Sequence, residues 1–130
     1  MRSVAREIVL QFIFSKLFNQ NDEGLFDVLA KNLSVKDKEF ADDLYKYIEK
    51  DRESFEKTLY ELSENFKADR IHLCDKCAIL IGMAELKYFP DTPTAVVIDE
   101  AVNLAAKFST ENSVDYVNGI LAVYSKQIRG

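Results

Sequence analysis

The residues Pro93–Phe108, PTAVVIDEAVNLAAKF, with Ser109–Ser113, STENS, and Val114–Leu121, VDYVNGIL, decide the fold. They read as two helices joined by a short polar turn. In the first, Val97, Ala101, Leu104, Ala105 and Phe108 recur at i, i+4, i+7, i+8 and i+11, which is one helical face. In the second, Val114, Val117, Leu121, Tyr124 and Ile128 repeat every three or four residues. So short a connection makes the helices neighbours, and each apolar face needs a partner. Gly119 lies inside the second pattern, where Gly costs about 1 kcal/mol relative to Ala. Close approach of a neighbouring backbone is the ordinary reason. Asn118 beside it is open to three readings: a bond to a neighbouring loop, solvent, or a ligand.

Composition agrees with helices. The chain has 130 residues, 48% of them hydrophobic, which suits one domain over residues 1–130 with a real core and excludes disorder. With 4 Gly and 2 Pro it lacks the punctuation of an all-β fold. No run approaches the ~20 apolar residues of a membrane span. Arg2 and Arg6 precede an apolar centre as in a signal peptide, but Glu7 and Gln11 interrupt it and no small-residue cleavage site follows. A cytoplasmic, all-α protein is expected. Its net charge of −5 is adverse for a nucleic-acid binder, because phosphate contacts need clustered Lys and Arg, and any affinity for RNA must come from a local patch.

From the N-terminus, Ser3 is placed to cap a helix running to about Phe18. Val4, Ile8, Phe12 and Ile13, widened by Val9, Leu10, Phe14, Leu17 and Phe18, make it apolar over most of its circumference and therefore central. Asn19–Gly24 is a loop, and Leu25–Leu33 a short helix. Ser34 followed by Asp37 starts the next helix, whose buried side is Phe40, Ala41, Leu44, Tyr47 and Ile48. Phe55, Leu59, Leu62 and Phe66 continue its period across Asp51-Arg52-Glu53, so pattern alone leaves one long helix or two. The dense charges from Lys36 to Glu64 are solvated faces, with pairs such as Glu53–Lys57. Asp75 can cap the strongly apolar helix that carries Ala78, Ile79, Ile81, Met83 and Leu86.

Chemistry-bearing motifs are sparse. Cys74 and Cys77 form a C-x-x-C with His72 upstream, but the chain has no further Cys or His to complete a four-ligand zinc site. The βαβ setting of a redox C-x-x-C is absent as well. Cys77 reads as a small core residue and Cys74 as an incidental thiol. Asp99 and Glu100 are adjacent, so on a helix they point about 100° apart and cannot face one substrate together. Glu100 is better used in bonds within the protein. There is no phosphate-cradling Gly loop and no nucleophile elbow. No catalytic residue, metal or cofactor is expected.

The run Ile98-Asp99-Glu100-Ala101-Val102-x-Leu104-Ala105-x-x-Phe108, followed by Tyr116-Val117-Asn118-Gly119-Ile120-Leu121, resembles the NusB family of transcription antitermination factors. Lys76-x-x-Ile79-Leu80-x-x-x-x-Glu85-Leu86 and the spacing to Pro93 match as well, as does Arg2-x-x-Ala5-Arg6-Glu7-x-x-x-Gln11 at the start. The likeness is strong after Lys76 and weak from about Asn19 to Phe66. It implies a compact bundle of about seven helices in two packed subdomains, with a helix break near Asp51. It also implies pairing with NusE, a basic ribosomal protein, and binding of boxA-type single-stranded RNA in transcripts such as ribosomal RNA. The RNA polymerase elongation complex would then be an indirect partner.

By that resemblance Arg2 and Arg6 hold RNA phosphates, although the basic segment is thin and two solvated charges would look the same. Phe108, Asn112 and Tyr116 form an RNA-contacting corner, with Phe108 equally suited to completing its helix's apolar stripe. Stacked bases contribute about 1–3 kcal/mol each on such aromatics, and the neutral Asn112 spares a repulsion with phosphate. Asp69 and Asp75 are the acidic candidates for docking NusE. Two alternatives stand beside this reading. One is a protein-interaction module of the same fold with little RNA affinity. The other is an accessory domain for an enzyme that modifies ribosomal RNA, in which case the methyl-donor domain would be a separate partner. A homodimer is also compatible.

Overall fold

In a computed structural model, which describes residues 2–17, 24–65, 71–110 and 112–130, six helices account for the ordered elements. They are α1 (Arg2–Leu17), α2 (Leu25–Leu29), α3 (Val35–Asn65), α4 (Leu73–Tyr88), α5 (Thr94–Phe108) and α6 (Ser113–Arg129). A helix apolar all round must be surrounded, and α4 is: every residue from Cys77 to Leu86 is buried. It packs against α1 and α3 on one side and α5 and α6 on the other. These are the two packed subdomains, sharing one core that runs from Val9 and Ile13 through Leu44, Ile48 and Leu59 to Val97, Leu104, Val117 and Leu121.

Six helices are counted where about seven were expected, because α3 is two helices joined across a kink at Asp51, where the break was expected. Asp51 leaves helical geometry (φ −110°, ψ 15°), and its carboxylate accepts hydrogen bonds from Lys87 Nζ at 2.6 Å and from the Tyr88 hydroxyl. The bend is thus fastened to the end of α4. Ser34 is the cap it was expected to be, accepting from the Asp37 N–H at 3.1 Å. Two other expected caps are not. Ser3 lies within α1, its hydroxyl donating to Glu100, and Asp75 lies in the first turn of α4, after the N-cap His72. The side-chain pairs on α3 join Arg52 to Glu49 and Glu56 instead of Glu53 to Lys57.

Within α4 the glycine that matters is Gly82. A Cβ built there meets Leu121 Cδ1 of α6 at 2.6 Å, so the missing side chain is what lets α4 and α6 close. Gly119 is half-buried on the opposing helix, and Asn118 faces solvent. The far end of α4 is closed by Arg129, which donates to the carbonyls of Leu86 (2.9 Å), Phe89 (3.0 Å) and Thr92 (2.8 Å). Carbonyls at a helix end have no intrahelical partner, and this guanidinium supplies one from the chain's last helical residue. Among the described residues no helix is long and apolar enough to cross a membrane.

Candidate nucleic-acid interface

The turn between α5 and α6 is built by hydroxyls. Ser113 Oγ donates its proton to Asp75 Oδ2 at 2.8 Å and stands 3.0 Å from both Ser109 Oγ and Thr110 Oγ1, which fill its two lone pairs. Ser113 and Asp75 are 2% and 3% exposed, so this knot is internal. It pins the turn to the start of α4 and fixes the outward residue, Asn112, which is exposed and makes no side-chain cap bond. Phe108 ends α5 on one side of the turn, and Tyr116 opens α6 on the other. Both are half-buried and packed against the core. The Tyr116 hydroxyl reaches Ser63 Oγ of α3 at 2.5 Å, and burial pushes its phenol pKa up, keeping it protonated at neutral pH. Three predicted residues, Phe108, Asn112 and Tyr116, therefore share one corner.

The arginines part company. Arg2 is exposed at the start of α1, with its guanidinium 4.6 Å from the Phe40 ring centroid. Arg6 is buried: Nη2 donates to Glu85 Oε2 at 2.9 Å, Nε reaches Glu85 Oε1, and Nη1 lies 3.6 Å from Glu100 Oε2. Such a satisfied, desolvated guanidinium holds the bundle together and is not presented to phosphate, which corrects the expected role of Arg6. Asp75 is corrected for a similar reason. Buried beneath the corner, with Oδ1 unpartnered, it offers no exposed charge to a basic protein. Asp69 lies outside the described residues.

Ser3 bonds Glu100 (2.9 Å) and Lys107 bonds Glu7 (2.8 Å), so side chains link the first half of α1 to the second half of α5. Ser3 therefore stands beside Glu100 at the middle of α5, eight residues or about 12 Å along the axis from Phe108 at its end, while the Arg2 guanidinium turns to Phe40 of α3. The candidate surface is a strip along α5, not a point. Lys107, on that strip and 5.5 Å from the Phe108 ring centroid, is a cation that the sequence did not single out. Its signal was there, since it precedes the aromatic at a helix end. Ser113 was missed as well, because its partner lies 38 residues away.

The cysteines remain outside the site. Cys77 is buried and its thiol is pushed up to about 12, while partial burial also raises Cys74. Among the described residues, no group of three or more His, Cys, Asp or Glu could hold a metal.

Comparison with known proteins decides the lineage. Residues 3–126 match the model of the NusB family. The chain belongs to the NusB family. It is 36% identical to the transcription antitermination protein NusB of Methylacidiphilum infernorum, covering 92% of this chain and 87% of that one. With the NusB of Natranaerobius thermophilus it shares 33% over 98% of this chain and 96% of that one. Among solved structures, T. maritima NusB superposes with a TM-score of 0.87 at 26% identity, covering 98% of this chain and 92% of that one. A chain from the crystal structure of antitermination factors NusB and NusE in complex with dsRNA gives 0.80 at 25% identity, covering 97% and 96%.

Proposed function

We propose that the protein is a cytoplasmic transcription antitermination factor that acts as one domain, pairs with NusE and holds boxA-type RNA in transcripts such as ribosomal RNA. The observation that carries this reading is the α5–α6 corner. The family's fold here presents Phe108, Asn112 and Tyr116 together on a turn fixed from inside by Asp75 and Ser113. A single-stranded target suits two half-exposed rings beside a neutral amide, because unpaired bases can stack where paired ones cannot. The related NusB–NusE complex contains double-stranded RNA, so single and double strands must be compared directly. Arg2 and Lys107 supply phosphate contacts, and Asp69 is the acid left to meet NusE. The mechanism is assembly, and no catalytic step enters it.

The burial of Arg6 favours one rival reading, an interaction module with little RNA affinity of its own, since Arg2 is then the one exposed cation among residues 2–6. Fluorescence titration of boxA-type single-stranded RNA and of a duplex, at two salt concentrations and with or without NusE, separates the two. Antitermination predicts tight, salt-sensitive binding of the single strand once NusE is present, weakened by Arg2→Ala and by Phe108→Ala. RNA affinity that never exceeds that of NusE alone leaves the interaction module. Failure to bind NusE sinks the proposal.

A further inference from the structure

Between α1 and α5 lies a cleft of about 240 Å³ lined by Ser3, Glu7, Glu100, Asn103, Leu104 and Lys107. It lies along the second half of α5, from Glu100 towards Phe108. Two polar side-chain bridges span it, Ser3 to Glu100 at one end and Lys107 to Glu7 at the other. Its polar groups are only partly used. Among the described residues the second oxygen of Glu7 and the carboxamide of Asn103 take no hydrogen bond, and Asn103 is exposed. Leu104, 4% exposed, provides an apolar floor.

We infer that this cleft is a nucleotide subsite that takes one unpaired base, edge first, and prefers a base bearing an exocyclic amino group. The inference rests on the RNA-binding reading above and adds to it which base class is selected and by which residues. The charge of the lining chooses the occupant. Two carboxylates inside the cleft repel phosphate but accept hydrogen bonds from an amino group, which adenine, cytosine and guanine carry and uracil lacks. A cation stands at one rim, Lys107 beside Phe108, where the backbone phosphate of a base pointing inward would lie. Lys107 is 59% exposed on its side chain and held by one surface ion pair, so a phosphate can draw it away from Glu7 at small cost. That exchange frees the Glu7 carboxylate for the base. Asn103, with both a donor and an acceptor, completes the reading. At 240 Å³ the cleft is smaller than the roughly 300–1,000 Å³ of drug-sized pockets, in keeping with a single base.

The test uses the full chain with NusE and a series of boxA-type single strands. Each adenine, cytosine and guanine is in turn replaced by uracil. Wild-type protein is expected to lose affinity about tenfold at one position, the scale of one hydrogen bond to a charged acceptor. Glu7→Gln and Asn103→Ala should shrink that loss to about threefold or less while leaving affinity for the uracil-substituted strand within about twofold. In the wild type, the Asn103 side-chain amide resonances should shift on adding the parent RNA and stay put with the substituted one. If wild type binds RNA but both variants weaken every strand equally, or none, the cleft reads no base and the inference is overturned while the RNA-binding proposal survives. If wild type binds no RNA even with NusE, both fall.

Discussion

Arg6 and Glu85 bind each other inside the bundle, 3% and 1% exposed, through two side-by-side contacts of which Nη2 to Oε2 measures 2.9 Å. Fork-to-fork pairing satisfies both groups, and Glu100 lies 3.6 Å from the guanidinium as a second acid. Removing one partner strands the other charge in the core. Arg6→Ala should therefore lower unfolding free energy by about 3–5 kcal/mol in a urea titration. RNA affinity of the folded fraction should stay near wild type, unlike that of Arg2→Ala. Unchanged stability together with lost RNA affinity would return Arg6 to the binding surface.

Asp75 and Ser113 make the corresponding argument at the corner. Ser113→Ala removes the proton donated to Asp75 and the acceptor for Ser109 and Thr110, leaving a buried carboxylate short of a partner. The expected loss is about 1–3 kcal/mol, read as a lower urea midpoint, accompanied by weaker RNA binding because the turn carrying Asn112 loosens. Asp75→Asn keeps an acceptor for Ser113 and should leave NusE affinity unchanged. A tenfold drop in NusE affinity with unchanged stability would make the carboxylate a docking group.

What the sequence disclosed follows from the range of the interactions. The apolar periods of α1, α4, α5 and α6 and the Ser34 cap are local and were legible, except that Val4 in the α1 stripe is 48% exposed. Ile128 was read as core because the period runs to the end of α6, but it is 39% exposed, and Arg129 beside it is the residue that meets the end of α4. Arg2 and Arg6 look alike at i, i+4, and only a residue 79 positions away separates them. A usable clue did exist, since Glu85 is the one charge inside the run Ala78–Leu86 and demands an opposite charge facing it. The corner's aromatics were legible as a pair flanking a turn. The α1–α5 cleft was not, because its six residues come from two helices whose alignment is a tertiary fact.

The bend in α3 gives the protein a pH signature. Hydrogen bonds from Lys87 and Tyr88 hold the Asp51 carboxyl below the usual carboxylate range, and the same contact raises Lys87. A depressed acid contributes stability above its unfolded pKa, and that contribution fades as pH falls through the folded value. A raised lysine contributes below its unfolded pKa and loses that contribution as pH rises through the folded one. The bend should thus be fully fastened across neutral pH and loosen at both extremes. Asp51→Asn is expected to flatten the acid limb of urea midpoint against pH, the effect being modest because Lys87 is 43% exposed. An acid limb identical to wild type would mean that the bend does not depend on this carboxylate.

Gly82 tests whether a single missing methyl is what lets α4 and α6 approach. In Gly82→Ala the new Cβ would lie 2.6 and 2.9 Å from the two methyls of Leu121. Leu121 is fully buried, so it yields only by taking a poorer rotamer or by moving α6. Overpacking of this kind costs about 1–3 kcal/mol, against a gain of about 1 kcal/mol from replacing a mid-helix glycine. Gly82→Ala should therefore be destabilising in the wild-type background, by a lower urea midpoint with unchanged slope. In a Leu121→Ala background the obstructing methyls are gone, and the same substitution should become stabilising by up to about 1 kcal/mol. The sign reversal is the discriminating result. If Gly82→Ala costs the same in both backgrounds, Leu121 is not what the glycine makes room for.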